Sequence, residues 1–260
     1  MKKKISIILP NLVGGGAERL AIYLAHDWKR RGYLVEFILM EERGDLLELL
    51  EEEISIIELK VNKIRSVFFP LIKALKASRP DIIWVGLWPL TSISVASWIF
   101  SGKKGKLFTI DHNHLSISTI KQLDVSPTFL KLVMRITYPF ATGVMTVSHG
   151  AKKDLEKLGS FKRDRVKVIY NPAATGKASN YKITKDMEIK LWGEGVSYKI
   201  VSAGAFSHQK NYSLLLRSFA QINQVEDSKL IILGEGPLRP ELEDQINNLG
   251  LNNKVLLPGF

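Results

Sequence analysis

KISIILPNLVGGGAERLAIYLAHDWKRRG, residues 4–32, decides the architecture. Its apolar run at 5–9 is short, β-rich and stopped at Pro10, which predicts a first strand. After it come Gly14, Gly15 and Gly16. Then Leu20, Leu24 and Trp28 recur at four-residue spacing with Ala17, Ala21 and Ala25 beside them, and Lys29, Arg30 and Arg31 close the last turn before Gly32. This predicts a helix with a core-facing stripe and a cationic C-terminal end.

Outward from this unit the alternation repeats. Apolar runs at 34–40, 54–59, 82–85, 107–110, 144–147 and 166–169 alternate with helical patterns, so the fold class is α/β with a parallel, doubly wound sheet. Gly44, Asp45 and Leu46 are expected to open an acid-rich helix ahead of the third strand. From 172 to 197 the strand pattern lapses into a polar, glycine-bearing stretch with at most one short helix. We therefore divide the chain into a first domain, 1–171, a linker, 172–197, and a second domain, 198–260. In the second, YKIVSAG, KLIIL and KVLL read as strands around helices at 212–224 and 239–249. Three strands and two helices leave an open sheet edge, so this domain is expected to be the first part of a larger one.

The composition bounds the chemistry. Among 260 residues there is no cysteine, which excludes a disulfide framework, thiolate metal sites and cysteine nucleophiles. MKKKISIILPNL resembles the charged start of a signal peptide, but its apolar run is too short. Residues 82–100 contain Pro89 and several Ser and Thr, so no membrane span is expected and the cytoplasm is the default compartment. A net charge of +11 favours anionic partners, the alternative being solubility alone. Nucleic acid is not expected, because the basic residues are spread along the chain without interleaved aromatics. Within KIRSVFFPLIKALKASRPD, residues 63–81, Val67, Leu71, Ala74 and Leu75 form an apolar stripe bordered by Lys63, Arg65, Lys73, Lys76 and Arg79. That pattern suits either an anionic membrane surface or an ordinary sheet-covering helix.

The glycine turn lets backbone amides approach a ligand and aims a helix N-terminus at negative charge. A dinucleotide fingerprint would need a third glycine where Arg19 stands, and no Gly-Lys-Ser or Gly-Lys-Thr exists for a P-loop. NAD and ATP cradles are disfavoured; a turn with no ligand is the alternative. In TIDHNHL, His112 and His114 follow a strand, and their spacing alone makes a poor metal site with no other histidine or cysteine grouped nearby.

GGGAERLA at 14–21, TVSHGAKKDL at 146–155, VIYNP at 168–172, GAFSHQKNYSLLLRSFA at 204–220 and LGEGPLRPEL at 233–242 occur in that order. Together they resemble the family 4 glycosyltransferases of GT-B fold, over residues 4–260. The resemblance implies a complete N-terminal Rossmann-like domain that holds the acceptor and the first part of a second one that holds a nucleotide sugar, the two facing across a cleft. It also implies retention of anomeric configuration and no required metal or other cofactor. Gly15, Gly16, Lys210, Gly234, Glu235 and Gly236 match donor-binding positions, with Lys210 on the diphosphate. His112 matches the residue facing the reacting sugar, and Glu18, Arg19, His114 and Ser148 fall on the acceptor side. His149 is expected simply to begin a helix. Two departures stand out: Ala205 replaces a customary arginine, and the family's two donor-contacting glutamates would lie beyond Phe260, so the resemblance implies a chain cut short at its C-terminus. The implied function is transfer of a hexose or N-acetylhexosamine from a UDP- or GDP-sugar to a cell-envelope glycan, such as a polyprenyl-diphosphate-linked oligosaccharide, a lipopolysaccharide or a capsule precursor. The implied location is cytoplasmic, peripheral at the inner membrane face. The alternative is a noncatalytic or split-enzyme subunit lacking those glutamates.

Overall fold

The computed structural model describes residues 2–123, 125–162, 164–172 and 184–259. Contacts divide the chain into two compact units, Met1–Ala173 and Ala174–Phe260. Of the expected linker, 173–183 lies outside the described residues, and the helix Lys185–Trp192 that follows belongs to the second unit.

The first unit contains β1 (Lys4–Leu9), α1 (Gly16–Arg30), β2 (Leu34–Leu39), β3 (Ser55–Glu58), α2 (Phe68–Ser78), β4 (Ile82–Gly86), α3 (Leu90–Phe100), β5 (Lys106–Asp111), α4 (Leu115–Leu123), α5 (Pro127–Thr137), β6 (Gly143–Thr146), α6 (His149–Gly159) and β7 (Val166–Val168). All of its strand pairs are parallel, in the order β3-β2-β1-β4-β5-β6-β7. The chain starts in the middle and winds outward both ways, as short apolar runs with helical crossovers require. Because strand side chains alternate, Ile7 and Leu9 enter one apolar layer with Phe37 and Ala25, while Ile8 enters the other with Leu71, Val85 and Leu130.

Three expectations change on contact with this geometry. In α1 the buried residues are Ala21, Ile22 and Ala25, and Leu20, Leu24 and Trp28 are only partly covered, since the small alanines let the helix axis approach the sheet. The expected acid-rich helix after Gly44 is a 3-10 turn, Asp45–Leu49, with Leu46 as its buried residue. In α2 the stripe Val67, Leu71, Ala74 and Leu75 is buried in the core, so it is the sheet-covering face of the helix and not a membrane surface.

Two braces hold loops in place. Gly44 has φ +119°, and an added Cβ would strike the Leu12–Val13 backbone; around it Leu12 N donates to Arg43 O (3.0 Å) and Leu46 N to Leu12 O (3.1 Å). The loop after β2 thereby supports the glycine turn after β1. Gly44→Ala is expected to lower the unfolding free energy by about 2–4 kcal/mol, read by urea denaturation. Gly102 also has positive φ but open space around it, so Gly102→Ala should lose only about 1 kcal/mol; equal losses would remove the clash from the explanation. Elsewhere, Arg165 donates to the carbonyls of Tyr138 (3.2 Å), Pro139 (3.3 Å), Ala141 and Thr142 (3.3 Å), joining the end of α5 to the approach of β7.

The second unit contains α7 (Lys185–Trp192), β8 (Tyr198–Ala203), α8 (Tyr212–Asn223), β9 (Ser228–Leu233), α9 (Arg239–Asn248) and β10 (Val255–Gly259). Its sheet is parallel in the order β10-β9-β8. Phe206, Tyr212, Leu216, Phe219, Leu230, Ile232, Leu242 and Val255 form its core.

Candidate functional site

In a parallel sheet, loops leaving the C-terminal ends of the strands gather at one edge, where helix N-termini also point. The glycine turn, His112, His114 and Ser148 all follow strands at this edge of the first unit, and Lys210 and 234–236 follow strands at the same edge of the second.

Gly15 is the N-cap of α1, in extended conformation at φ −164°, and no side chain caps the helix. Gly14 needs its glycine for φ +130°, while an added Cβ at Gly14 or Gly16 would meet nothing within 4 Å. The turn is therefore not glycine-rich for packing; its first-turn amides are left bare, as an anion site requires. The Glu18 carboxylate folds back over Gly15. An arriving phosphate must turn that flexible side chain aside, because like charges cannot share the helix N-terminus. Arg19 is exposed beside it and, among the described residues, forms no ion pair.

Beyond β5, His112 lines a cavity of about 170 Å³ with Leu87, Trp88, Asp111, Asn113, Leu115, Ser118 and Thr119. Its ring lies 6.4 Å from that of Trp84. Burial lowers its pKa to about 4, so the imidazole is neutral at physiological pH, and its Nε2 has no hydrogen-bond partner. Leu87 is held at φ +68°, a left-handed conformation that costs a residue with a Cβ about 1–2 kcal/mol.

Asp111, which the sequence reading passed over, is fully buried. The Tyr138 hydroxyl donates to its Oδ2 (2.8 Å) and lies 2.8 Å from Thr91 Oγ1, and Thr146 Oγ1 donates to its backbone carbonyl (2.9 Å). Burial pushes the carboxyl up to about 7 against the pull of the Tyr138 hydrogen bond. The signal in the sequence was an acid directly before the histidine at a strand end. Its partner, 27 residues away, was invisible to local pattern.

The acceptor-side candidates are bound into local structure. Ser148 is the N-cap of α6, its Oγ accepting from Ala151 N at 3.1 Å, and His149 begins that helix with its ring 6.1 Å from Tyr170. The His114 imidazole lies over Gly150, where a Cβ would crowd it. A glycine one residue into the helix thus lets the histidine rest against it.

In the second unit Lys210 ends a short 3-10 turn, His208–Lys210, followed by Asn211 at φ +50°. Its stem passes over Gly204, where an added Cβ would stand 3.0 Å from Cε. Lys210 is exposed and, among the described residues, forms no ion pair. Ala205 is exposed at the start of this loop. Arg239 does not replace the customary arginine, because Glu235 and Glu243 both bind it and its guanidinium lies 5.3 Å from the Phe206 ring. That pairing also holds the Glu235 carboxyl below its usual range. Gly234 and Gly236 have positive φ, and added Cβ atoms there would strike Gly204 O and the Phe206 backbone. In this structure their close approach is to the neighbouring loop, sealed by Phe206 N to Glu235 O (2.8 Å) and Leu238 N to Phe206 O (3.2 Å). Among the described residues no group of three or more His, Asp or Glu is placed to hold a metal ion.

The family model "Glycosyltransferase Family 4" matches residues 14–177, and "Glycosyl transferases group 1" matches 186–260. One relative, from Campylobacter jejuni, is 27% identical over 95% of this chain and 66% of its own length; it is named GalNAc-alpha-(1->4)-GalNAc-alpha-(1->3)-diNAcBac-PP-undecaprenol alpha-1,4-N-acetyl-D-galactosaminyltransferase. A second from the same organism, a 4-alpha-N-acetylgalactosaminyltransferase named for an N,N'-diacetylbacillosaminyl-diphospho-undecaprenol acceptor, is 28% identical over 99% of this chain and 70% of its own length. The chain thus spans about two thirds of these relatives. Among solved structures, Anabaena Alr3699/HepE in complex with UDP-glucose superposes with a TM-score of 0.75 at 22% identity, covering 99% of this chain and 69% of that one. WaaG, a glycosyltransferase of lipopolysaccharide biosynthesis, gives 0.68 at 14% identity, covering 98% and 70%. Such distant structural likenesses establish the fold, and the family match over most of the chain establishes the rest: this chain belongs to glycosyltransferase family 4 and has the GT-B fold.

Proposed function

We propose that the chain carries part of the machinery that moves a hexose or N-acetylhexosamine, with retention and without a required metal, from a UDP- or GDP-sugar to a lipid-linked glycan of the cell envelope. The observation that carries this reading is the set of groups at the strand C-terminal edges: bare amides at the head of α1, a neutral half-buried imidazole at His112, and an ammonium at Lys210 with no ion pair among the described residues. Each suits one need of glycosyl transfer. An ammonium in the second unit can stabilise charge that grows on a departing diphosphate, and the bare amides of the first offer a site for an anionic group. A neutral imidazole both donates and accepts, so His112 can hold a sugar hydroxyl without adding charge. Glu18, Arg19, His114 and Ser148 are proposed for the acceptor, and Glu235 with its flanking glycines for the nucleoside. The Campylobacter relatives, whose names carry undecaprenyl-diphosphate acceptors, support a polyprenyl-linked acceptor and hence work at the inner face of the membrane.

The test is direct. The protein is mixed with each of several UDP- and GDP-sugars and a short-chain polyprenyl-diphosphate glycan, and nucleoside diphosphate release and product anomeric configuration are followed. One α-linked sugar is expected to transfer from an α-linked donor, and His112→Ala should lower kcat about 10²-fold. An inverted product, or full activity in the variant, would remove the role given to His112. Tight nucleotide-sugar binding with no transfer would leave a binding subunit instead.

A further inference from the structure

The stripe of α2 lies inside, but the same helical layer turns other apolar residues outward. On α5, Leu130 and Met134 are fully buried, while Phe129, Leu132 and Ile136 on the opposite side are each more than half exposed, and Phe140 continues the line one turn on. α3 packs against both α2 and α5. At its end Phe100 is 68% exposed, and Phe69 at the start of α2 is 78% exposed; Phe68 meets both rings edge-on at 5.1 and 5.5 Å. Scattered exposed apolar residues need no explanation, but a helix with one whole side buried and the other apolar does.

Charge identifies the partner. Residues 60–153 contain fourteen Lys and Arg against three Asp, so the entire net charge of +11 lies in the stretch that builds this layer. No acidic residue occurs between 125 and 153. Among the described residues, no ion pair involves a lysine or arginine between 60 and 135. The cations lie among the aromatics: Lys131 and Arg135 are exposed on α5, and Lys103 Nζ stands 6.0 Å from the Phe140 ring and 5.5 Å from that of Trp98. Beside Ile136, Arg135, Lys162 and Arg165 wall a hollow of about 570 Å³ with Pro139, Ser160 and Phe161. A second copy of the chain would press like charge against like charge, whereas an anionic bilayer offers phosphates to the cations and acyl chains to the rings.

We infer that the outer face of α5, with Phe69, Phe100 and Phe140 beside it, docks on an anionic phospholipid surface, the rings and Leu132 and Ile136 entering the headgroup boundary while Arg135 and Lys162 take a lipid phosphate. This rests on the reading that the acceptor is lipid-linked, but it is tested without acceptor or donor. The protein is sedimented with vesicles of phosphatidylcholine alone and of phosphatidylcholine with phosphatidylglycerol. Binding is expected only to the second, weakening between about 50 and about 500 mM salt as screening grows. Leu132→Ser with Ile136→Ser should reduce partitioning about tenfold or more, and so should Lys131→Glu with Arg135→Glu. Both pairs are exposed, and unchanged circular dichroism and melting verify that the variants fold. Transfer to a water-soluble acceptor should be the same in all of them. Vesicle binding without any transfer by the parent protein would sink the proposed activity and leave the docking face standing. Variants that bind as the parent does would overturn the docking face. So would a parent that ignores vesicles yet dimerises in light scattering through Leu132 and Ile136.

Discussion

Lys210→Ala should lower kcat for sugar transfer about 10²- to 10³-fold while shifting KM for the nucleotide sugar far less. The reasoning starts from charge. Negative charge grows on the diphosphate as the glycosidic bond breaks, so a cation there acts more on the transition state than on the ground state. On the proposed reading, the load in this chain would fall on few groups. Ala205 contributes no side-chain charge, and Arg239 is already held by Glu235 and Glu243. The Lys210 stem lies across Gly204, where an added Cβ would stand 3.0 Å from its Cε. Lys210→Arg should restore part of the rate, since charge is kept but its point is moved. Steady-state release of nucleoside diphosphate reads the effect, and a Lys210→Ala enzyme within about threefold of the parent would eliminate this side chain from the mechanism.

The second large effect is a pair of opposed pH dependences from adjacent residues. Burial holds the Asp111 carboxyl at about 7, whereas in the unfolded chain it ionises near its ordinary 3.8. Folding thus favours its protonated form, and stability is lost as pH rises from about 4 to about 7, by about 4 kcal/mol in all. Burial holds His112 at about 4, against 6.5 when unfolded. Here folding favours the neutral form, and about 3 kcal/mol is lost as pH falls from about 6.5 to about 4. Side by side, the two contributions nearly cancel across the shared window. Each single variant should expose the other. Relative to the parent, Asp111→Asn should grow less stable as pH falls, and His112→Gln less stable as pH rises, with swings of about 2–3 kcal/mol between about pH 4.5 and about pH 6.5. Urea unfolding at several pH values gives both slopes, and parallel slopes in the two variants would refute the opposition.

The first sheet was legible where its strands are short, mostly apolar runs followed by a turn signal; β1, with five buried residues in a row, is the plainest case, whereas edge strands such as β7, with Lys167 exposed, carry less of the pattern. The candidate edge was legible wherever a residue type is rare, as with three consecutive glycines or a histidine directly after a strand. What stayed hidden depends on who covers whom. The stripe on α2 suited either a membrane or the sheet, and only the packing shows that it faces the core, whereas α5 buries Leu130 and Met134 and has a second apolar side left over. The Asp111–Tyr138–Thr91 chain joins three elements separated by dozens of residues. Gly234 and Gly236 match donor-binding positions in the sequence, but nothing in their local pattern shows that added Cβ atoms there would strike residues 204–206, some thirty positions earlier.

The Arg165 guanidinium, grasping four carbonyls at the end of α5, has a consequence for how the first unit comes apart. An edge strand of three residues would ordinarily fray alone, ahead of everything else. Here β7 cannot leave without stripping that guanidinium from the 138–142 corner, which in turn carries Tyr138 and the buried acid it supports. The margin of the sheet and the floor beneath His112 therefore open as one cooperative piece, so the outermost strand inherits the resistance to unfolding of the centre.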